Sequence, residues 1–343
     1  MTATQTAQAP IDAVITWVDG SDPKHAAKLE GYLASIGGSR PRAASPSRFH
    51  HSGELDYCVT SLLRFAPWLR TIYIVTDEQT PDLIHKLKGT VYEDRVKVVD
   101  HKVIFTGFEQ HLPCFNSRPI LSVLWRIPGL AENFIFLNDD FALLRPVRER
   151  DFFRDNKVVL RGKWRKFSDK VIHKKVAHFL EGLFSKKKRE LRKTKVGYLA
   201  AQEVSAKLLG FKNWYFQIPH NPHAWRVSTQ RTYFEANPEV LEFNVSFPLR
   251  NSEQFIGESL AAHLELKNKG AKIKNDLNVL QLKPADQALL RIKNKLNRAD
   301  KSKKTAFVCV QNIENADEEK QKLIFEWLDK RIGTVDELLN ANR

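Results

Sequence analysis

Several motifs that identify common enzyme classes are missing from this chain of 343 residues. It contains no GxGxxG, GxxxxGK[ST] or GxSxG segment, so no motif indicates a dinucleotide-binding site, a P-loop or a serine hydrolase. No apolar run approaches the roughly 18 residues that a membrane-spanning helix needs. The first residues, MTATQTAQAP, have neither the basic nor the apolar region of a signal peptide. We therefore expect a cytoplasmic protein.

Cysteine is scarce as well. Cys58, Cys114 and Cys309 lie far apart in apolar surroundings, and no CxxC or Cys/His spacing suggests a zinc site. We expect three buried free thiols and a reducing compartment.

Acidic residues are outnumbered, with 40 Asp and Glu against 55 Lys and Arg, which gives a net charge of +15. Such an excess indicates an anionic partner. Between residues 161 and 195, 14 Lys or Arg stand against three acids, and apolar residues recur there at helical spacing. We predict a basic helical insertion that is a solvated surface, a peripheral contact with an anionic membrane at its inner face, or a grip on an anionic acceptor. No RNA-binding or helix-turn-helix motif accompanies the charge, so no nucleic acid partner is expected.

Short β-branched runs alternate with helical segments along the chain. We predict strands at 11–18, 71–76, 96–100 and 133–140, a short helix at 122–130, and a late strand at 305–313. This order predicts an α/β fold with a mainly parallel sheet. Ligands of such folds bind outside the carboxyl ends of the strands. We expect the strand-end acids to gather at that edge: Asp19, Asp22, Asp77, Asp100, Asp139 and Asp140.

Three groups of residues could carry chemistry. Asp139 and Asp140 follow the apolar run FIFL, and carboxylates suit Mg²⁺ or Mn²⁺, although acids also cap strand ends in turns. His220 and His223 could bind a metal, or one could serve as a general base, and both could equally be structural. Arg250 could clamp a phosphate, although most arginines simply lie on the surface.

The chain resembles the Stealth family of hexose-1-phosphate transferases in several long segments. Its first two conserved regions are matched by IDAVITWVDGSDP, by RFHHSGELDYCVTSLLRFAPWLRTIYIVTDEQTP and by HLPCFNSRPILSVLWRIPGLAENFIFLNDDFALLRPV. IPHNPHAWR with LRNSEQF resembles the third region, and TAFVCVQN resembles the fourth. The family includes bacterial capsular and exopolysaccharide phosphotransferases and an animal lysosomal-enzyme N-acetylglucosamine-1-phosphotransferase.

The resemblance implies a GT-A/Rossmann-like nucleotide-binding core and a UDP-sugar donor. It implies that Asp140, His220 and Arg250 are catalytic and that Asp19, Gly20 and Asp22 form the loop on the nucleotide side. We also expect Asp139 and Asp140 to hold a divalent cation, and Arg48, Asn116, Asn138 and His223 to bind substrate. We expect the core at 11–160 and 205–313, the basic insertion at 161–204, and a C-terminal helical segment at 314–343. The chain departs from the family pattern at Leu121, at Asp56 and Thr60, and at Gln311-Asn312, which suggests a subgroup with its own donor or acceptor.

The implied reaction transfers a hexose-1-phosphate or N-acetylhexosamine-1-phosphate from a UDP-sugar to a hydroxyl of a saccharide or phosphate-containing polysaccharide. It forms a phosphodiester and releases UMP, in capsule or exopolysaccharide synthesis. Two alternatives stay open: a metal-dependent glycosyltransferase that releases UDP, and a basic RNA- or membrane-binding module without enzymatic activity.

Overall fold

The computed structural model describes residues 9–38, 44, 49, 52–171 and 197–341. The strands in these ranges are β1 Ile11–Thr16, β2 Ile72–Thr76, β3 Val96–Asp100, β4 Asn133–Asn138, β5 Phe141–Leu143, β6 Phe153–Arg154, β7 Lys157–Leu160, β8 Lys163–Lys166, β9 Trp214–Gln217, β10 His223–Arg226, β11 Ala271–Ile273, β12 Asn278–Leu282 and β13 Thr305–Val310. The helices are α1 Pro23–Ser35, α2 Glu54–Phe65, α3 Asp82–Leu87, α4 His101–Ile104, α5 Ser117–Val123, α6 Tyr198–Leu208, α7 Val227–Ala236, α8 Pro238–Val245, α9 Gly257–Lys267, α10 Leu289–Lys301, α11 Glu318–Ile332 and α12 Val335–Asn340. Within the described ranges, no helix has both the length and the apolar character needed to cross a bilayer.

The central sheet has the strand order β10-β4-β1-β2-β3. Strands β1 to β4 run parallel, and β10 pairs with β4 in the antiparallel direction. Every residue of β2 is buried, as expected for a strand covered by helices on both faces. The predicted α/β class with a mainly parallel, Rossmann-like sheet is confirmed.

A second sheet, of order β12-β13-β5, adjoins the first. Strand β5 pairs with β13, so that Phe141 lies opposite Cys309. The chain passes from β4 in the central sheet to β5 in the second sheet through Asp139 and Asp140 alone. The late strand predicted at 305–313 is confirmed as β13, and it forms the middle of this second sheet.

Some predicted boundaries are wrong. The helix expected at 122–130 begins earlier, at Ser117, because the Asn116 side chain accepts a hydrogen bond from the Arg118 backbone N–H and caps the first turn. The insertion expected to be helical from 161 begins instead with β8, which pairs with β9. Its other predicted boundary, at 204/205, falls inside α6. The residues on which the helical prediction depended lie largely in 172–196, outside the described residues.

The C-terminal helices belong to the same packed body. Helices α11 and α12 both contact α2, and the Tyr57 hydroxyl donates a hydrogen bond to Asp329 at 2.6 Å. Within the segment 314–343, which was predicted to be helical, the described helices are Glu318–Ile332 and Val335–Asn340.

A buried carboxylate ties the start of the parallel sheet together. Asp12 in β1 is fully buried and accepts hydrogen bonds from the Arg70 guanidinium, from Thr71 N at 3.1 Å and from Ala131 N at 2.7 Å. Thr71 directly precedes β2, and Ala131 lies two residues before β4. One side chain thus fixes the starting points of three adjacent strands, β1, β2 and β4.

We expect Asp12→Asn to lower the free energy of unfolding by about 2–4 kcal/mol, because the new amide would face backbone N–H donors and leave Arg70 without its carboxylate. Urea denaturation monitored by circular dichroism measures the change. The matched control is Asp94→Asn at an exposed position, which should change the free energy of unfolding by less than about 0.5 kcal/mol. Equal stabilities for the two variants would contradict this role of Asp12.

Candidate active site

The loop after β1 is held by a side chain from the loop after β2. The Gln79 side chain accepts a hydrogen bond from Asp19 N at 3.0 Å and donates one to the Asp22 carboxylate at 3.0 Å. Asp22 also caps α1 by accepting from Lys24 N at 2.8 Å, and these hydrogen bonds lower the pKa of its carboxyl group. A residue with a side chain would not fit at Gly20, because its Cβ would lie 2.5 Å from the Cβ of Phe49.

The acids that follow β2 and β3 lie at the same edge of the sheet. Lys28 from α1 pairs with Asp77 at 2.8 Å, and the Asp100 carboxylate accepts from Glu78 N at 2.7 Å. The predicted gathering of strand-end acids is confirmed for the loops after β1, β2 and β3. Asp139 and Asp140 follow β4, which is the other neighbour of β1 in the sheet.

Asp140 occupies the junction between the two sheets. Its backbone carbonyl accepts a hydrogen bond from Val310 N at 3.0 Å, and one carboxylate oxygen accepts from the Cys309 thiol at 3.5 Å. The other oxygen, Oδ1, is buried and has no hydrogen-bond partner among the described residues. On the opposite side the Cys58 thiol donates to the carbonyl of Asn138 at 3.8 Å. Two buried thiols, whose free state confirms the prediction, therefore pack around the acidic pair.

This environment disfavours negative charge on the acidic pair. Burial, followed by the neighbouring Glu54, raises the pKa of Asp140 to about 7. Burial and the charges of Asp140 and Glu54 raise the pKa of Asp139 well above its usual value. A buried carboxylate oxygen without a partner fits a divalent cation, which would supply the missing positive charge. No three His, Cys, Asp or Glu side chains of the described ranges converge as a complete metal site, so such a cation would need water or substrate oxygens as well.

His220 faces the junction from the chain that leads into β10. His223 lies opposite Phe136 in the antiparallel pair of β10 and β4, and the same register continued brings His220 toward Asp139. The His220 ring lies edge-on to Phe141 with centroids 6.4 Å apart, and it stacks on Tyr198 at 4.0 Å. Burial, with smaller contributions from the positive charges of Lys283 and Arg250, lowers the pKa of His220 to about 4. The ring is therefore neutral at neutral pH and has a nitrogen lone pair available.

Arg250 lies close enough to His220 for its charge to affect the imidazole ring. Its guanidinium donates to the Ser117 hydroxyl at 3.1 Å, and its positive charge lowers the pKa of both His220 and Glu258. The structure thus brings three of the predicted residues, Asp140, His220 and Arg250, into one neighbourhood. Charges of both signs occur in it, because Glu258 lies near Arg250, and Lys283 acts both on His220 and on Cys309, which bonds to Asp140.

Two residues that the sequence analysis missed complete this neighbourhood. Tyr198 begins α6, and its hydroxyl is buried without a hydrogen-bond partner in the described part of the chain. Glu258, in the first turn of α9, is 4% exposed, and its Oε2 likewise has no partner among the described residues. Burial raises the pKa of Glu258 to about 7, while Arg250 and Arg118 act in the opposite direction. Neither residue stands in a recognisable sequence motif, because only the packing of α6 against α9 brings them to His220.

The remaining predicted residues have different surroundings. Asn116 is buried, and its amide donates to Gln254 Oε1 at 2.9 Å and to Phe247 O at 3.1 Å, while its predicted contact with a substrate stays a prediction. His223 is buried in β10, and burial lowers its pKa to about 3. Asn138 ends β4 and is partly exposed beside the acidic pair. Arg48 lies outside the described residues.

We expect Asp140→Asn to stabilise the fold at neutral and alkaline pH. The carboxyl group has a pKa of about 4 in the unfolded chain and of about 7 in the folded protein. The wild type therefore loses free energy of unfolding as the pH rises from about 4 to about 7, because the unfolded state ionises more easily. The asparagine variant has no such loss, so its free energy of unfolding should exceed that of the wild type by about 1–3 kcal/mol at alkaline pH and equal it near pH 4. Urea denaturation across this range, with the exposed Asp286→Asn as control, measures the difference. A difference that is constant with pH would contradict the raised pKa.

Residues 9–37 match the family model described as Stealth protein CR1, conserved region 1, and residues 48–160 match Stealth protein CR2, conserved region 2. The chain is 43% identical over 148 residues to an exopolysaccharide phosphotransferase of Streptomyces coelicolor, a match that covers 43% of this chain and 15% of that protein. It is 39% identical over 151 residues to a capsular polysaccharide phosphotransferase of Aeromonas hydrophila, covering 43% of this chain and 40% of the relative. A third relative, from Streptococcus pneumoniae, is a capsular polysaccharide phosphotransferase, 38% identical over 146 residues that cover 43% of this chain and 42% of that protein. The chain therefore aligns with less than half the length of each of these relatives.

Comparison with solved structures gives two superpositions with low scores. Mouse xyloside xylosyltransferase 1 superimposes with a TM-score of 0.41 at 9% identity, covering 87% of this chain and 97% of that one. The bifunctional glycosyltransferase WbbM gives a TM-score of 0.40 at 10% identity, covering 98% of this chain and 52% of that one.

The family matches end at residue 160. The resemblance of the later segments, which contain His220 and Arg250, therefore stays a prediction from the sequence. Over the part that is matched, the resemblance is confirmed: residues 9–37 and 48–160 match the models of the first two conserved regions, with Asp139 and Asp140 inside the second match.

Proposed function

We propose that this protein transfers a hexose-1-phosphate or N-acetylhexosamine-1-phosphate from a UDP-sugar to a hydroxyl of a saccharide, in the synthesis of a capsule or exopolysaccharide. The names of the matched relatives support a polysaccharide phosphotransferase. The observation that carries the proposal is Asp140, which lies inside the matched region and has a buried oxygen without a hydrogen-bond partner among the described residues. The ring of His220 lies edge-on to the adjacent Phe141, is neutral, and is affected by the charge of Arg250. The UDP-sugar donor and the release of UMP are the parts that need direct testing.

The distribution of charge around Asp140 suits a nucleotide diphosphate. Arg250 offers a guanidinium that stays protonated and can form paired hydrogen bonds with phosphate oxygens. Lys283 adds a second positive charge near His220. Mg²⁺ or Mn²⁺ held by Asp139 and Asp140 would neutralise further negative charge of the diphosphate.

The reaction is a substitution at the phosphorus that carries the sugar. An acceptor hydroxyl oxygen forms the new P–O bond, the P–O bond to UMP breaks, and the hydroxyl proton passes to a base. Because the bond between the sugar and its oxygen stays intact, the anomeric configuration is kept. Phosphoryl transfer of this kind depends mainly on positioning and on neutralising charge.

His220 is the base that the surroundings favour once the donor is bound. Arg250 and Lys283 contribute to its low pKa, and the negative charge of a bound diphosphate would offset both cations and make the ring more basic. A cation bound at Asp140 would lower the pKa of that carboxyl group and make it a weaker base. We therefore assign the proton to His220 and the cation to Asp139 and Asp140.

Identification of the nucleotide product tests the proposed function. The complete chain is incubated with a UDP-sugar, Mg²⁺ and an acceptor oligosaccharide, across a panel of donors that includes UDP-N-acetylglucosamine and UDP-galactose. We expect UMP and a new phosphodiester signal in the ³¹P NMR spectrum. Release of UDP would establish a glycosyltransferase instead, and the absence of turnover with every donor would leave a binding module. Addition of EDTA should abolish the activity, and excess Mg²⁺ should restore it.

Two variants separate the roles of His220 and Asp140. His220→Ala and Asp140→Asn should each lower kcat by about 10²–10⁴-fold, the range for loss of a general base or of comparable electrostatic stabilisation. Asp140→Asn should also raise the Mg²⁺ concentration that gives half-maximal activity, whereas His220→Ala should leave that concentration unchanged. The reverse pattern would exchange the two assignments.

Contact of the basic segment with an anionic membrane stays a prediction. Most of the residues that motivated it lie in 172–196, outside the described part of the chain.

A further inference from the structure

A fully buried arginine joins three segments of the chain that belong to the candidate active site. Arg118 is the second residue of α5 and is 2% exposed, whereas arginine side chains usually reach solvent. Its Nη1 donates a hydrogen bond to the backbone carbonyl of Asn251, and its Nη2 donates a longer one to the carbonyl of Gly197 at 3.5 Å. A guanidinium can bond to two separate segments because it carries several N–H donors in one fixed plane.

Both of these carbonyl groups lie next to residues of the site. Asn251 directly follows Arg250, and Gly197 directly precedes Tyr198, whose ring stacks on His220. Gly197 also caps α6, since its carbonyl accepts a hydrogen bond from the backbone N–H four residues later at 3.1 Å. One guanidinium therefore holds the backbone that carries the arginine and the tyrosine nearest to the predicted base.

The arginine of the site is attached to α5 at a second point. Arg250 donates to the hydroxyl of Ser117, the residue before Arg118, at 3.1 Å. The backbone N–H of Asn251 donates to the Gln254 side chain at 2.9 Å, while its carbonyl accepts from Arg118. The conformation of this loop thus depends on one partner inside the loop and on one partner in α5.

We propose that Arg118 is a positioning residue, which holds Arg250 where its guanidinium can bind the diphosphate and, through Tyr198, holds the ring of His220. The inference rests on the proposed function and adds to it a side chain that is itself too buried to meet a substrate. A purely structural role would predict a loss of stability and no specific change at Arg250 or His220.

Arg126 offers a matched control, because it makes the same kind of contact with a different loop. Its guanidinium donates to the backbone carbonyls of Ile104, at 3.2 Å, and of Thr106. Replacement of either arginine by methionine removes hydrogen bonds to two backbone carbonyl groups, so both variants should be less stable than the wild type. Only the replacement of Arg118 should also change the environment of His220 and the affinity for the nucleotide.

The protonation of His220 tests the inference without any ligand. Burial and nearby positive charges lower the pKa of His220 to about 4, so the ring should stay neutral from about pH 8 to about pH 5.5 in the wild type. In Arg118→Met, a displaced tyrosine would admit water and a displaced Arg250 would act less strongly on the ring. Both changes raise the pKa toward its ordinary value of about 6.5. Histidine side-chain NMR, assigned with His220→Ala, should therefore show a titration that the wild type and Arg126→Met lack.

The affinity for UDP, the nucleotide part of the proposed donor, tests the position of Arg250. In the presence of Mg²⁺, isothermal titration calorimetry should give a Kd about ten-fold higher for Arg118→Met than for the wild type, because Arg250 would no longer meet the diphosphate in the same geometry. Arg126→Met should change the Kd by less than about two-fold.

Arg118→Lys is a second variant, which keeps the charge but has a single nitrogen that cannot reach both carbonyl groups. It should raise the Kd by about three-fold and show a smaller rise in the pKa of His220, and it carries the same test if Arg118→Met does not fold. Circular dichroism of each variant shows whether it is folded.

An unchanged Kd in both Arg118 variants, together with a His220 ring that stays neutral in both, would overturn the inference. Equal changes in Arg126→Met would overturn it as well, because they would show that the effect follows from lost stability. If the wild type neither binds UDP nor releases UMP, the proposed function fails, while the titration of His220 still decides whether Arg118 positions that ring.

Discussion

The site depends on the way in which β4 ends. The chain leaves the central sheet after Asn138 and enters the second sheet at Phe141, so Asp139 and Asp140 must occupy the junction between two packed sheets. Their neighbours are held by β-sheet pairing, with Cys309 opposite Phe141 and Val310 N bonded to the Asp140 carbonyl. This pairing fixes the backbone of both acids at the junction, where burial raises the pKa of each carboxyl group. A bound cation would offset the cost of ionising them there.

Positive groups lie near this acidic pair. Arg250 and Lys283 act on His220, and Lys283 also acts on Cys309, which bonds to Asp140, while Glu54 adds negative charge to Asp139 and Asp140. A ligand bound at this site would therefore meet both cations and carboxylates. A metal-bound diphosphate carries both kinds of charge and could pair with both.

The strands and their final acids could be predicted from the sequence because each depends on a local pattern. The apolar runs of β1 to β4 are followed by Asp in the turns, and the parallel order then places those turns at one edge. Tyr198 and Glu258 could not be predicted in the same way, since they are brought together only by packing of helices distant in sequence. Strand β8 was missed for another reason: KWRK has no buried face to give it an apolar alternation, and it is a strand because β9 pairs with it.

Leu121, one of the positions at which the chain departs from the family pattern, packs against the start of α9. It is buried in α5 and lies against Gly257, where a Cβ would come within 2.9 Å of the Leu121 Cβ. The next residue of α9 is Glu258, so an apolar side chain at 121 faces the start of a helix that carries a buried carboxyl group. Because Arg118 of α5 and Arg250 act on that carboxyl group, it lies within the electrostatic surroundings of His220. A diphosphate that draws on the charge of Arg250 would weaken its influence on Glu258 and favour the protonated acid. Binding of a diphosphate at Arg250 would then raise the pKa of both His220 and Glu258.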